Sequence, residues 1–261
     1  MSLAQIIIIV VAAFLAGIVN AIAGGGTLIT FPALIWIGLD PVVANVTSTV
    51  GIVPGTIGGV FGFRHEMSGI RRWLKWFILP SVIGGLIGAL LLLLTPSKIF
   101  ASIVPFLILF ATALFSLQEP INRRLRRSIE NSSSGVTPRE ATTKWLVGAT
   151  ALQFLVAIYG GYFGAGIGIL MLAVLGLIGL TDIHQMNGLK NTMGFSINGI
   201  AAISFMVSGN VRWFAAAAMA VAALLGGYCG AKIARVLGRT FVRRFVIIVG
   251  LIMAISLFFN R

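Results

Sequence analysis

The chain has 261 residues, 58% hydrophobic and only 10% charged, with a mean hydropathy of +1.05. A water-soluble domain of this length needs more charge to cover its surface, so the composition excludes one and points to an integral membrane protein. The net charge of +13 does not call for a nucleic-acid partner, because the basic residues gather in gaps between apolar stretches, as cytoplasmic loops do.

The first apolar stretch runs over 3–37. No Lys or Arg precedes it, as the start of a signal peptide requires, so 3–23 is expected to remain as a membrane segment. Its 35 residues would make a helix of ~52 Å against a hydrocarbon core of ~30 Å, too long for one crossing. Gly24, Gly25 and Gly26 interrupt it, and residues without a Cβ let the backbone turn, so a bent or re-entrant helix pair is expected. Stretches 41–63, 73–95 and 97–118 follow, each of single-span length. Arg64, Arg71, Arg72 and Lys75 surround the first gap between them. The polar piece 119–141 holds Arg123, Arg124, Arg126, Arg127 and Arg139 and reads as a cytoplasmic linker with a short amphipathic helical portion. The stretch 142–180 is again too long for one span and is broken by Gly160, Gly161, Gly164, Gly166 and Gly168. Stretches 184–208, 211–235 and 241–260 complete the chain, with Lys232, Arg235, Arg239, Arg243 and Arg244 around the last gap.

The two halves repeat. Adding 142 carries Gly24 and Gly26 onto Gly166 and Gly168, Asp40 and Asn45 onto Asp182 and Asn187, and Gly84, Gly85 and Gly88 onto Gly226, Gly227 and Gly230. A gap-free register that includes Asp, Asn and a spaced glycine triplet predicts duplication: repeats at 1–118 and 142–261 around the linker 119–141. With the basic gaps cytoplasmic, the turns near 38–41, 96 and 209–210 lie outside, and so do both termini. The stretch 142–180 then enters and returns on the cytoplasmic face and 3–37 on the other, so the copies are inverted. The expected fold is an all-α integral membrane protein of two inverted-topology repeats. Each is a glycine-broken helical hairpin plus three transmembrane helices, with 8–10 hydrophobic segments in all. Inverted repeats with discontinuous helices are the recurring architecture of secondary transporters, whereas channels usually repeat by oligomer symmetry.

The helices that start after the breaks, near Thr27 and 167, would present N–H groups and a partial positive charge suited to an anion. On the next helix of each half, Asn45, Ser48, Thr49 and Thr56 share one face, and Asn187, Lys190, Asn191 and Asn198 repeat that spacing. Such residues either face a cavity or bond between helices. Lys190 either neutralises an anion in the path or snorkels to the interface near Asp182. Asp40 and Asp182 are suited to capping helix starts, and Asp182 with His184 is the pair able to couple protons. Gly84, Gly85, Gly88 and their equivalents fit close helix packing. Cys229 is the single cysteine, so no internal disulfide forms, and no metal-ligand spacing or cofactor motif is present.

The run AGIVNAIAGGGTLITFPALIWIGLDPVVANVTST, with YGGYFGAGIGILMLAVLGLIGLTDIHQMNGLKNT in the second half, resembles the sulfite exporter TauE/SafE family over nearly the whole chain. The resemblance implies a permease, usually an exporter, of small anions such as sulfite, sulfonates and sulfoacetate across the inner membrane. It implies binding near Asn20, Gly24, Gly25, Gly26, Gly164 and Gly166, with Tyr162 standing where the repeat register pairs with Asn20. A small anion and the lipid bilayer are the expected partners, and a homodimer stays open. An anion channel and a non-transporting assembly subunit are the competing readings. An enzyme is not expected, since no nucleophile with a base and no H-E-x-x-H pattern occurs, and no P-loop for ATP.

Overall fold

The structure, a computed structural model, describes residues 1–22, 25–62, 71–132, 143–177, 180 and 183–259. Within these, the side chains at 21–22, 58–62, 71–72, 118–132, 143–145, 177, 183–184, 187, 230–243, 245 and 259 lie outside the description. The elements in order are α1 (Leu3–Ile22), α2 (Thr27–Trp36), α3 (Pro41–Gly62), α4 (Arg71–Leu94), α5 (Ser97–Ser132), α6 (Thr143–Tyr162), α7 (Ile167–Leu177), α8 (Ile183–Val207) and α9 (Trp213–Phe259). A helix satisfies its own backbone, which hydrocarbon requires. Among the described residues, three stretches are long and apolar enough to cross a membrane: Leu3–Asn20, Trp73–Leu94 and Ser97–Leu117. Large apolar side chains such as Leu79, Leu155 and Phe214 face outward and are exposed, an arrangement suited to lipid.

The first long stretch does break. Gly25 takes φ +99°, a left-handed conformation that side chains with a Cβ adopt at a cost. The Gln5 amide donates to the Ile37 carbonyl at 3.1 Å, which brings the end of α2 back beside the start of α1. The legs are unequal: α1 has 20 residues and α2 has 10, or ~30 Å and ~15 Å at the helical rise. In the second stretch α6 has 20 residues and α7 has 11, joined through Gly164 and Gly166 at φ +80° and +78°.

Two elements differ from the sequence expectation. α5 continues to Ser132, so the first half of the 119–141 linker is one helix with the span before it. Its run NRRLRRSIEN contains no glycine and is rich in good helix formers, so nothing local stops the helix. α9 is helical through 236–240, where a gap was expected, but its two apolar legs, Trp213–Cys229 and Val246–Phe258, run in opposite directions. Asp40 and Ser97 are hydrogen-bonded at 2.7 Å, so α3 and α5 start at the same end of the bundle. Met219 and then Ala223 lie against Gly51 and Gly55, moving away from that end. Gly250 lies against Thr112, and Phe258 packs edge-on against Phe106 with ring centroids 5.4 Å apart, moving back towards it. A straight helix of α9's 47 residues would separate its ends by ~70 Å, so the chain turns between the legs.

α4 packs on α6 and α1 on α9, and both seams are made of glycine. A Cβ at Gly88 would strike the Ile158 carbonyl and one at Gly161 the Gly85 carbonyl. Likewise a Cβ at Gly226 would strike the Phe14 carbonyl and one at Gly17 that of Ala223. Backbones can approach this closely only over small residues, the usual packing device where lipid removes the hydrophobic drive between helices.

Candidate functional site: a cavity between two broken helices

A cavity of ≈ 90 Å³ lies between the two breaks. α1 and the start of α2 bring Asn20, Gly25 and Thr27 to its wall, and α3 brings Ile52, Gly55 and Thr56. The second half contributes Gly164, Ile167, Gly168 and Met171, with Lys190, Asn191, Gly194, Phe195 and Asn198 from α8.

Asn20 has a defined orientation. The Gly26 N–H donates to its Oδ1 at 2.7 Å, and since a carboxamide can accept only through oxygen, the Nδ2 remains a pure donor. The start of α2 is therefore less bare than its sequence suggested. Gly26 N–H is covered by Asn20, and the Leu28 and Ile29 N–H groups turn back onto the Gly25 and Gly26 carbonyls at 3.0 and 2.9 Å. At the other break the Tyr159 hydroxyl donates to the Ala165 carbonyl at 2.7 Å, pinning the turn that carries Gly164 and Gly166.

Lys190 is half-buried and lines the cavity, with its stem lying over the second residue of α7. A Cβ at Gly168 would stand 3.3 Å from Lys190 Cδ, so the glycine leaves room for that stem. Lys190 is the one ionisable side chain among the lining residues, beside the neutral Asn20, Thr27, Thr56, Asn191 and Asn198. Among the described lining residues, a positive charge accompanied by neutral hydrogen-bonding groups favours an anion. In surroundings less polar than water the preference is strengthened, because Coulomb terms grow as the effective dielectric constant falls.

Asn45, Ser48 and Thr49 share the expected helix face but do not line the cavity: Asn45 and Ser48 meet neighbouring elements, and Thr49 bonds within α3. Asn45 is buried and its Nδ2 donates to the Tyr162 carbonyl at 3.0 Å. Ser48 shares a 2.6 Å hydroxyl bond with Thr30, and the Thr49 hydroxyl donates to the Asn45 carbonyl at 3.0 Å. Asp40 caps the start of α3, accepting from the Val42 N–H at 3.0 Å. Gly24 and Asp182 lie outside the described residues, as do the side chains of Asn187 and His184. Thr56 and Asn198 belong to the cavity although sequence reasoning marked them only as members of a polar face. Their equivalence under the 142-residue shift was the signal that could have selected them. Met171 and Phe195 carried no such signal.

The sequence model of the sulfite exporter TauE/SafE family matches residues 9–257. The chain belongs to this family. Among curated TauE/SafE-like relatives, it is 29% identical over 250 residues to a probable membrane transporter protein of Haemophilus influenzae, covering 95% of this chain and 92% of the relative. It is 28% identical to the probable membrane transporter protein ORF9 of a Sinorhizobium species, with 95% and 90% covered. It is also 25% identical to the probable membrane transporter protein YfcA of Escherichia coli K12, with 95% and 87% covered. No solved structure matches it. As a TauE/SafE protein the chain is a helical multi-pass membrane transporter.

Proposed function

We propose that the chain is a secondary transporter, working as an exporter, of small anions such as sulfite, sulfonates and sulfoacetate across the inner membrane. It holds its substrate between the two broken helices and exchanges access between the two faces through two inverted copies. The observation that carries this reading is the placement of the Lys190 cation on a cavity whose other described lining residues are amides, hydroxyls, glycine and apolar groups. The inverted arrangement is supported by the two hairpins and by the equivalence of Gly84 and Gly226, each of which closes a seam onto the first helix of the opposite half. In this reading the linker 119–141 is cytoplasmic and both termini lie on the other face. α8 then starts inside, and Lys190 sits ~10 Å along it.

The test is anion flux into proteoliposomes. The wild type is expected to give saturable flux of at least one of sulfite, a short sulfonate or a short carboxylate. Lys190→Ala is expected to lower it about tenfold or more, the factor that losing ~1.5 kcal/mol of a charge-assisted bond gives. Flux that survives Lys190→Ala unchanged contradicts the assignment, and unsaturable conductance would make the protein a channel.

A further inference from the structure

A second set of buried side chains lies outside the cavity lining. Phe31, Phe100, Tyr162 and Phe163 meet edge to face: Phe31 to Phe163 with ring centroids at 5.5 Å, Phe100 to Tyr162 at 5.6 Å, Phe31 to Phe100 at 6.3 Å and Phe100 to Phe163 at 6.5 Å. Phe31, Phe100 and Phe163 are buried to within 2% exposure. Asn45 joins the set through its bond to the Tyr162 carbonyl, and the Tyr162 hydroxyl donates to Thr95 at 3.4 Å.

Their place in the fold is the informative part. On α2, Thr27 lines the cavity and Phe31 stands one turn nearer the end of the bundle where Ile37 meets Gln5. On α3, Ile52, Gly55 and Thr56 line the cavity and Asn45 lies about two turns nearer that same end, where Asp40 meets Ser97. Gly164 lines the cavity, whereas Phe163 and Tyr162 precede it on the side facing Thr95. Phe100 is within the first turn of α5. α2, α3, α5 and the end of α6 each place a member of this set on the side of the cavity that faces 38–40, 95–97 and 208–212. The Asn45 Oδ1 is buried in it and accepts no hydrogen bond from the described residues. An acceptor left dry in this way is tied to a conformation that carries a cost and is relieved when the contact opens to water.

We propose that Phe31, Phe100, Tyr162 and Phe163, latched by the Asn45–Tyr162 bond between the two halves, are the gate that closes the cavity towards that face. Opening requires the α6–α7 turn to separate from α2, α3 and α5, which breaks the latch and the ring contacts together. Asn45 is then a positioning residue for transport and not a ligand of the substrate.

The proposal rests on the cavity being the transport path, and its test reads access instead of substrate. Cys229 is replaced by Ser, a single cysteine is placed at Thr56, and a small charged methanethiosulfonate is applied from each face. Asn210→Cys, at an exposed turn of the gated face, is the control for full access. With the gate intact, Thr56→Cys is expected to react from that face far more slowly than the control. Adding Asn45→Ala is expected to raise its rate about tenfold, the change that ~1.4 kcal/mol of lost latch gives. Phe100→Leu, which keeps apolar bulk, is the milder second variant and is expected to move the rate in the same direction. The gate is overturned if Thr56→Cys already reacts as fast as Asn210→Cys, or if neither variant changes its rate. A protein that passes this test yet carries no oxyanion has lost the substrate assignment and kept the gate.

Discussion

At Asn20 one side chain has two tasks. Its oxygen holds the Gly26 N–H at 2.7 Å, which caps the broken helix, and its amino group is left for the cavity. The tasks separate by substitution. Asn20→Asp keeps the acceptor and is expected to leave thermal stability in detergent close to wild type, while a carboxylate beside Lys190 abolishes anion binding. Asn20→Ala loses both, and is expected to cost about 1 kcal/mol of stability as well, in the range of a lost helix cap. Asn20→Asp protein that binds anions as well as wild type would show that this side chain only caps. Gly209, at φ +75° with nothing within 4 Å of its Cβ position, separates conformation from packing. Gly209→Ala is expected to destabilise by roughly 1–2 kcal/mol from the left-handed backbone alone, read as a lower unfolding midpoint.

At the scale of elements, the glycine seams are expected to tolerate nothing larger. Gly161→Val forces a side chain against the Gly85 carbonyl and is expected to give aggregated protein on size-exclusion chromatography. Gly148 lies on the same helix with open space around its Cβ position, so Gly148→Ala is expected to be neutral or to stabilise by up to about 1 kcal/mol. The breaks were legible in the sequence because excess length and clustered glycine coincide there. The course of α9 was half legible: two apolar legs are written in the chain, but the helical path between them is not, since one glycine, Gly238, does not oblige a helix to end. Lys190 and Asn191 were legible as cavity residues, and Asn45, Ser48 and Thr49 were not placed. Spacing says which residues share a helix face but not what stands opposite it. For α3 the facing groups are Thr30 and the Tyr162 carbonyl, brought there by chain more than a hundred residues away.

For the whole molecule, composition and hydropathy were enough to require a membrane, and the basic gaps gave an orientation that the bundle accommodates. The turns near 38–40, 96 and 209 fall at one end, with the cavity deeper in and the aromatic layer between them. What the sequence could not supply is that the polar residues divide into two sets, one lining the cavity and one bonded away from it, with Asn45 tying the two halves together. The central claim is that the cavity takes a small anion on Lys190. Calorimetric titration of the purified protein with sulfite, sulfate, a short sulfonate and a short carboxylate tests it most directly. The account predicts saturable binding of at least one anion, weakened about tenfold or more in Lys190→Ala, whose lost charge-assisted contact is worth ~1.5 kcal/mol or more. Equal binding by the wild type and Lys190→Ala, or no binding of any anion by wild-type protein that unfolds cooperatively, would contradict it.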